Sequence, residues 1–415
     1  MSSSSLTVFR ELRSEYTTWP ALQTFLTSAE GGCLRVVTSK EDSTLVIVRY
    51  VKGVSDFSKA HVASFRSVVW NTETNLPVSV APVKAQPGEP VLGTPLRITD
   101  FVDGVMIQAW HGTDTGSTLA TRTSIGARGN FYSQRSFAEL LEDALAPVGG
   151  TTSFLTSVLA PGQFLSLVLQ HPEHKTVAEI AAPRLYVTGV GNVGNDGLVT
   201  MTSDPSQWHQ RLAAYAVALY EPSHVFKDSA AAGAMLHRYA LGHTWQGLVF
   251  QEAGSVRRWR MRNPAYVLVR TLRGAEASQA ARFLRLRSQG QIKEYVGYFR
   301  EESAMMWALE QTLRSRTQGL YDAYTNLHKA KSATMRDLPL VYRPHVYAIH
   351  GQYMARFTAG QKPAPVLKET VIAYVNALAA EDQRALIERP LVVGHVGPVA
   401  PVAPVGSLAP VGAEV

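Results

Sequence analysis

Apolar residues at Leu6, Phe9, Leu12, Trp19, Leu22 and Phe25 recur at helical spacing, with Pro20 interrupting them, and predict two short helices within residues 6–29. After that the period shortens. β-branched runs at 34–38 and 45–51 flank the polar stretch Lys40-Glu41-Asp42-Ser43 and predict a hairpin. A second strand pair follows over 64–83, turning at residues 71–75. Residues 98–110 (ITDFVDGVMIQAW) read as a tight turn at Asp103-Gly104 running into a strand, and a plain hairpin turn is the simplest structural expectation there. Next come a Gly/Thr/Asp loop over 112–117, a helix over 136–145, a buried strand over 163–169 and another strand over 183–190. The glycine-rich stretch 189–197 opens no helix. It therefore lacks the helix N-terminal amides that cradle a phosphate, and reads as a surface loop.

Residues 208–219 and 229–241 have helical spacing, and 245–269 read as strand, turn and strand around Ala253-Gly254-Ser255. From Gly274 onward the pattern is helical with mixed charge, over 275–288, 292–313, 317–333, 343–357 and 366–388. That change of character predicts a domain boundary. The expected layout is an N-terminal helical segment (1–29), a β-rich domain (30–273), a helical C-terminal domain (274–390) and a tail (391–415). The tail, VVGHVGPVAPVAPVGSLAPVGAEV from Val392 onward, is low in complexity and predicts an extended, disordered arm. The fold class expected is α+β: a mixed antiparallel core followed by a helical domain.

Composition narrows the chemistry. The chain has 415 residues, 46% hydrophobic and 18% charged, and is long enough for two or three packed domains. A lone cysteine, Cys33, excludes an intramolecular disulfide and a cysteine zinc site, so a reducing, intracellular compartment is expected. The N-terminus lacks the pattern of a secretory signal, and no apolar run of about 18 residues could span a bilayer. A soluble protein with no membrane partner is the expectation. The net charge of +7 favours a polyanionic partner. The basic excess is concentrated in arginines of the second half, including Arg257, Arg258, Arg260, Arg262, Arg270 and Arg273.

The Asp103-Gly104 turn has the shape of a nucleotidyl-transfer motif. Covalent nucleotidyltransferases carry Lys-X-Asp-Gly there, and the lysine amine attacks the α-phosphate of a nucleotide. Here the four residues are Phe101, Val102, Asp103 and Gly104. A benzyl ring has no lone pair to offer.

With the segments around it, the turn resembles the phage-type RNA ligase family, and especially the RNA-ligase-like proteins of large DNA viruses. The resemblance covers roughly residues 40–380 and rests on ordered, degenerate motifs. It implies a mixed antiparallel nucleotidyltransferase core and, in active members, ATP and Mg²⁺. Arg66 in SFRSVVW matches an arginine that helps hold the ATP phosphates, and Lys84 in APVKA matches a basic residue just before the nucleophile segment. FLSLVLQHPEHKTV is similar to the strand whose glutamate contacts the ribose, with Val168 in its place. TWQGLVFQE resembles the Glu-Gly motif that helps bind the metal, with Gln246 for the glutamate. RWRMRNPAY resembles the closing Lys-X-Lys motif, with Arg260 and Arg262 for the lysines.

These departures agree in direction. Phe101 removes the covalent step, and Val168 and Gln246 remove carboxylate oxygens that Mg²⁺ requires. Arg260 and Arg262 keep charge and fork-shaped phosphate contacts. The resemblance therefore implies a catalytically inactive protein without cofactor. Such a protein would bind RNA, nucleotide or another polyanion through Arg66, Lys84, Asp103, Arg260 and Arg262, or serve as a subunit of a larger assembly. Protein contacts would then run through the helical domain and tail, and virion or host cytoplasm would be the location of a viral member. The alternative is an active ATP- and Mg²⁺-dependent ligase with a relocated nucleophile, for which Lys84 would have to approach within about 3.5 Å of its target.

Plainer readings stand beside these. Arg66 reads more readily as a surface strand arginine, and Arg260 and Arg262 equally as one solvated strand face with Trp259 and Met261 opposite. His171, His174 and His243 have no paired metal-ligand spacing. The aromatics of the helical region recur as packing residues do.

Overall fold

The computed structural model describes residues 3–88, 96–112, 118–148, 150–202, 224–226, 242–252, 254–358 and 364–393, with isolated positions between 230 and 236. Most of the loop expected over 112–117, the helix over 208–219, most of the helix over 229–241 and most of the tail lie outside the described residues. Internal contacts divide the chain into two units, Met1–Arg270 and Thr271–Glu414.

The first unit runs β1 (Ser3–Leu6), α1 (Val8–Glu15), α2 (Trp19–Thr27), β2 (Arg35–Thr38), β3 (Leu45–Arg49), β4 (Val68–Asn71), β5 (Leu76–Val80) and β6 (Gln86–Pro87). It continues with β7 (Leu96–Asp100), β8 (Val105–Trp110), β9 (Leu119–Ala120), α3 (Phe137–Leu145), α4 (Thr152–Ser157), β10 (Gln163–Gln170), β11 (Arg184–Val193) and β12 (Val199–Thr202). The last elements are β13 (His224–Phe226), β14 (Gly247–Glu252), β15 (Arg258–Arg262) and α5 (Pro264–Arg273), whose residues from Thr271 onward belong to the second unit. They build a six-stranded sheet ordered β1-β12-β11-β10-β8-β9, a five-stranded sheet β13-β7-β14-β15-β6 and a four-stranded meander β2-β3-β4-β5. Among the described residues every pairing is antiparallel except the short parallel contact of β15 with β6.

Local chemistry explains several starts and stops. Ser136 accepts from the Glu139 amide while the Glu139 carboxylate accepts from the Ser136 amide, a reciprocal cap that opens α3. Pro20 begins α2 rather than breaking a longer helix, because a first-turn proline gives up no hydrogen bond. Three expectations need correction. Asp103-Gly104 is not a hairpin turn: β7 and β8 belong to different sheets, and the turn carries the chain from one to the other. The run Tyr266-Val267-Leu268-Val269, expected as strand, is helical, with the Asn263 side chain accepting from the Ala265 amide at 3.0 Å just ahead of Pro264. Residues 189–193, expected as loop, finish β11, and a Cβ at Gly191 would run into the Phe164 ring of the neighbouring strand.

Apolar clusters organise the unit. Phe9, Leu22 and Leu26 of α1 and α2 pack with Ile47, Val68 and Trp70 of the meander, and Phe9 meets Phe65 edge-on at 5.4 Å. Leu165, Leu167 and Leu169 of β10 pack with Leu140, Leu141 and Leu145 of α3. Between meander and six-stranded sheet runs a buried polar relay. Ser79 Oγ donates to Gln108 Oε1 at 3.0 Å, and Gln108 Nε2 donates to Ser67 Oγ at 2.9 Å.

The second unit is helical: α6 (Gln279–Ser288), α7 (Ile292–Tyr298), α8 (Ser303–Tyr324), α9 (Arg343–Thr358), α10 (Lys368–Ala377) and α11 (Ala380–Glu388). The helices expected over 292–313 and 317–333 are divided differently. A 3₁₀ turn at Arg300–Glu302 interrupts the first, and α8 then runs unbroken to Tyr324. Among the described residues no helix is long and apolar enough to cross a membrane.

Candidate functional site

Where β7 leaves the five-stranded sheet, the Phe101 amide donates to the Gly247 carbonyl at 2.8 Å, which fixes Phe101 beside the start of β14. Arg262, opposite Gly247 in the β14–β15 register, holds its guanidinium 5.3 Å from the centre of the Phe101 ring. The lysine position of the resembled motif is thus filled by a ring with a cation on its face.

Asp103 is 3% exposed, and its Oδ2 accepts from the amides of Val177 and Ala178, both at 3.1 Å. Its carbonyl accepts from Gln170 Nε2 at 2.8 Å, and Gln170 is steadied in turn by the Tyr186 hydroxyl. The carboxylate serves the protein's own backbone. Tyr266 of α5 sits beside Asp103 and Arg270, and burial first, then the Asp103 charge, pushes its hydroxyl well above the ordinary range.

Val168 and Gln246 stand where the resemblance places carboxylates. Val168 packs on the turn: a Cβ added at Gly104 would lie 2.7 Å from its methyl and 2.5 Å from the Leu169 carbonyl oxygen. Gln246 is 1% exposed, and among the described residues neither polar atom of its side chain has a hydrogen-bond partner. An isopropyl group and a neutral, enclosed amide do not fit the oxygen-ligand demand of Mg²⁺.

On β15 alternate residues share a face, and Arg258, Arg260 and Arg262 line one while Trp259 packs with Ile98, Leu248 and Phe250 on the other. Arg258 Nη1 donates to the Val83 carbonyl at 3.4 Å, and Arg260 Nη1 to the Ala85 carbonyl at 3.0 Å. Between those two carbonyls sits Lys84, its ammonium 3.4 Å from the centre of the Phe57 ring and 5.2 Å from that of Tyr50. Burial, with Arg66 close by, lowers Arg258 to about 9. The Arg66 carbonyl accepts from Arg122 Nε at 3.3 Å, and Arg122 lies 4.7 Å over the Tyr50 ring. Arg66, Lys84, Arg258 and Arg260 therefore meet around one stretch of backbone, with Arg262 and Phe101 at the other end of β15. Arg122 has no sequence signal comparable to the Asp-Gly turn, and only the folded chain brings it here.

The histidines divide. His171 Nε2 lies 3.2 Å from Asp143 Oδ2, and the donor atoms of Asp143, His171 and Glu173 all fall within 4.8 Å of one another. Arg135 already supplies positive charge there, at 2.6 Å from Asp143 and 3.1 Å from Glu173. Its hydrogen bond holds Asp143 below the usual carboxylate range; the Ser133 hydroxyl, then Arg135, does the same for Glu173. His174 is buried against Phe137, and His243 is half-buried ahead of β14.

No protein-family profile matches the sequence, and no curated protein matches it. Among solved structures, the chain is similar to form 1 of an archaeal ATP-dependent RNA ligase at 9% identity and TM-score 0.41, over 72% of this chain and 73% of that one. Form 2 is similar at 9% identity and TM-score 0.40, over 75% of this chain and 83% of that one.

Proposed function

We propose that this chain is a nucleotidyltransferase-like protein that holds a polyanion, a nucleic acid or nucleotide, without covalent chemistry. The observation that carries this reading is Phe101 with Arg262 over its ring, at the position to which the Lys-X-Asp-Gly resemblance would assign the amine. A carbon ring cannot attack a phosphate. What the neighbourhood keeps is charge: Arg66, Arg258, Arg260 and Arg262 present guanidinium groups, whose fork geometry suits phosphate oxygens. Lys84 is a poor substitute nucleophile. Its ammonium lies over the Phe57 ring, and that aromatic face already occupies it.

Incubating the full chain with α-labelled ATP and Mg²⁺ tests the point. The expected outcome is no covalent nucleotidyl-protein after denaturation. An acid-labile, hydroxylamine-sensitive adduct on any lysine would overturn the reading in favour of an active ligase with a relocated nucleophile.

A further inference from the structure

β2 and β3 pair so that Arg35 stands directly opposite Arg49. Residues directly opposite on antiparallel strands project to the same face with their Cβ atoms about 5 Å apart, and like charges there are destabilising. A third cation joins them, since Arg122, anchored on the Tyr50 and Arg66 carbonyls, is close enough for its charge to act on Arg49. Arg49 itself has no hydrogen bond or carboxylate partner among the described residues, and its Nε is buried. Arg122 likewise has backbone carbonyls and the Tyr50 ring for partners, but no carboxylate among the described residues. Half-buried guanidinium groups left to repel one another cost stability that a neighbouring acid or apolar side chain would restore.

We propose that Arg35, Arg49 and Arg122 form a second phosphate-binding site, at the end of β3, for a polyanion longer than one nucleotide. The inference rests on the polyanion reading above and extends it. Arg122 bonds to the Arg66 carbonyl, and Arg66 is the charge that acts on Arg258, so the cluster is continuous with the row on β15. A mononucleotide offers its phosphates at one place. A chain of phosphodiesters offers them along a path, and converts the repulsion between Arg35 and Arg49 into shared attraction for one backbone. Burial, with Arg122 and Arg35 close by, lowers Arg49 to about 10, the direction expected of a cation awaiting an anion.

The test is a pair of salt titrations on the full chain, one with a labelled single-stranded oligonucleotide of about 20 nucleotides, longer than a typical single-strand site, and one with ATP. The double variant Arg35→Met/Arg49→Met keeps the apolar stems and removes both charges. It is expected to lower the oligonucleotide affinity and to flatten the log–log salt slope by about 1.4, two contacts at about 0.7 each, while leaving ATP binding unchanged. Its melting temperature without ligand should hold or rise, because a repulsion is relieved. Arg35→Gln, at an exposed strand position, guards against a folding defect and should flatten the slope by about half as much, whereas Arg336→Gln in the helical unit should not change it. Oligonucleotide binding with an unchanged slope in both variants would overturn this second site and leave the proposed function standing. A wild-type chain that binds neither probe would overturn both.

Discussion

Replacing Glu302 by alanine is expected to destabilise the helical unit by about 3–5 kcal/mol, the usual cost of removing one partner from a buried ion pair. Glu302 Oε1 lies 2.8 Å from Arg273 Nη1, its Oε2 lies 2.8 Å from Arg282 Nη1, and the Tyr295 hydroxyl donates to Oε2 at 2.6 Å. The two arginine side chains are only 3% and 2% exposed. Without the carboxylate, the two enclosed guanidinium groups lose the one negative charge that both of them contact. Burial alone would raise the Glu302 pKa, but Arg273 and Arg282 outweigh it and hold the group below the ordinary range. The sign of the pH dependence follows. A depressed carboxylate contributes stability that is fully present above the unfolded value of about 4.3 and is lost as pH falls through the folded value. Denaturant unfolding of wild type and Glu302→Ala at neutral pH, repeated at falling pH, should show the gap closing in acid. A gap under about 1 kcal/mol at neutral pH would mean that the network does not hold the helices together.

Asp103→Ala is the second large effect expected, about 3–5 kcal/mol in the first unit. Its carboxylate serves the Val177 and Ala178 amides, and hydrogen bonds to a charged group are worth about 1.5–3 kcal/mol each. Alanine leaves both buried donors unmade. Asp103→Asn keeps one acceptor oxygen and should lose less. This separates two roles for the one acidic residue of the Asp-Gly turn. If Asp103→Ala unfolds like wild type yet loses affinity for nucleotide, the residue belongs to the ligand; loss of stability with little direct effect on binding assigns it to the fold.

Much of this architecture is legible locally. The hairpin of β2 and β3, the pair β4 and β5 and the capped start of α3 follow from alternation, turn residues and one reciprocal cap. The helix α5 was less legible, because Val267, Leu268 and Val269 look like a strand while the Asn263-Pro264 start signal occupies only two positions. The passage of the chain between sheets at Asp103-Gly104 is illegible in principle. A hairpin and a crossing place the same residues at the turn, and only the partners of β7 and β8 distinguish them. The site follows the same division. Phe101, Arg260 and Arg262 stand out in a linear pattern, whereas the bond of Arg258 to Val83 joins residues 175 positions apart. The facing of Arg35 and Arg49 depends on strand register, which a hairpin pattern suggests without naming the residues that meet.

The polyanion binding proposed for β15 works by charge alone. It is tested most directly by filter binding of a labelled oligonucleotide at two salt concentrations, with wild type beside the double variant Arg260→Ala/Arg262→Ala. Released counterions should supply most of the affinity, so wild-type binding is predicted to be sequence-tolerant and to weaken steeply with salt. The double variant should bind more weakly, with a slope shallower by about two phosphate contacts. Salt-independent binding, or none, would rule out a charge-driven polyanion site and leave a role in protein assembly instead.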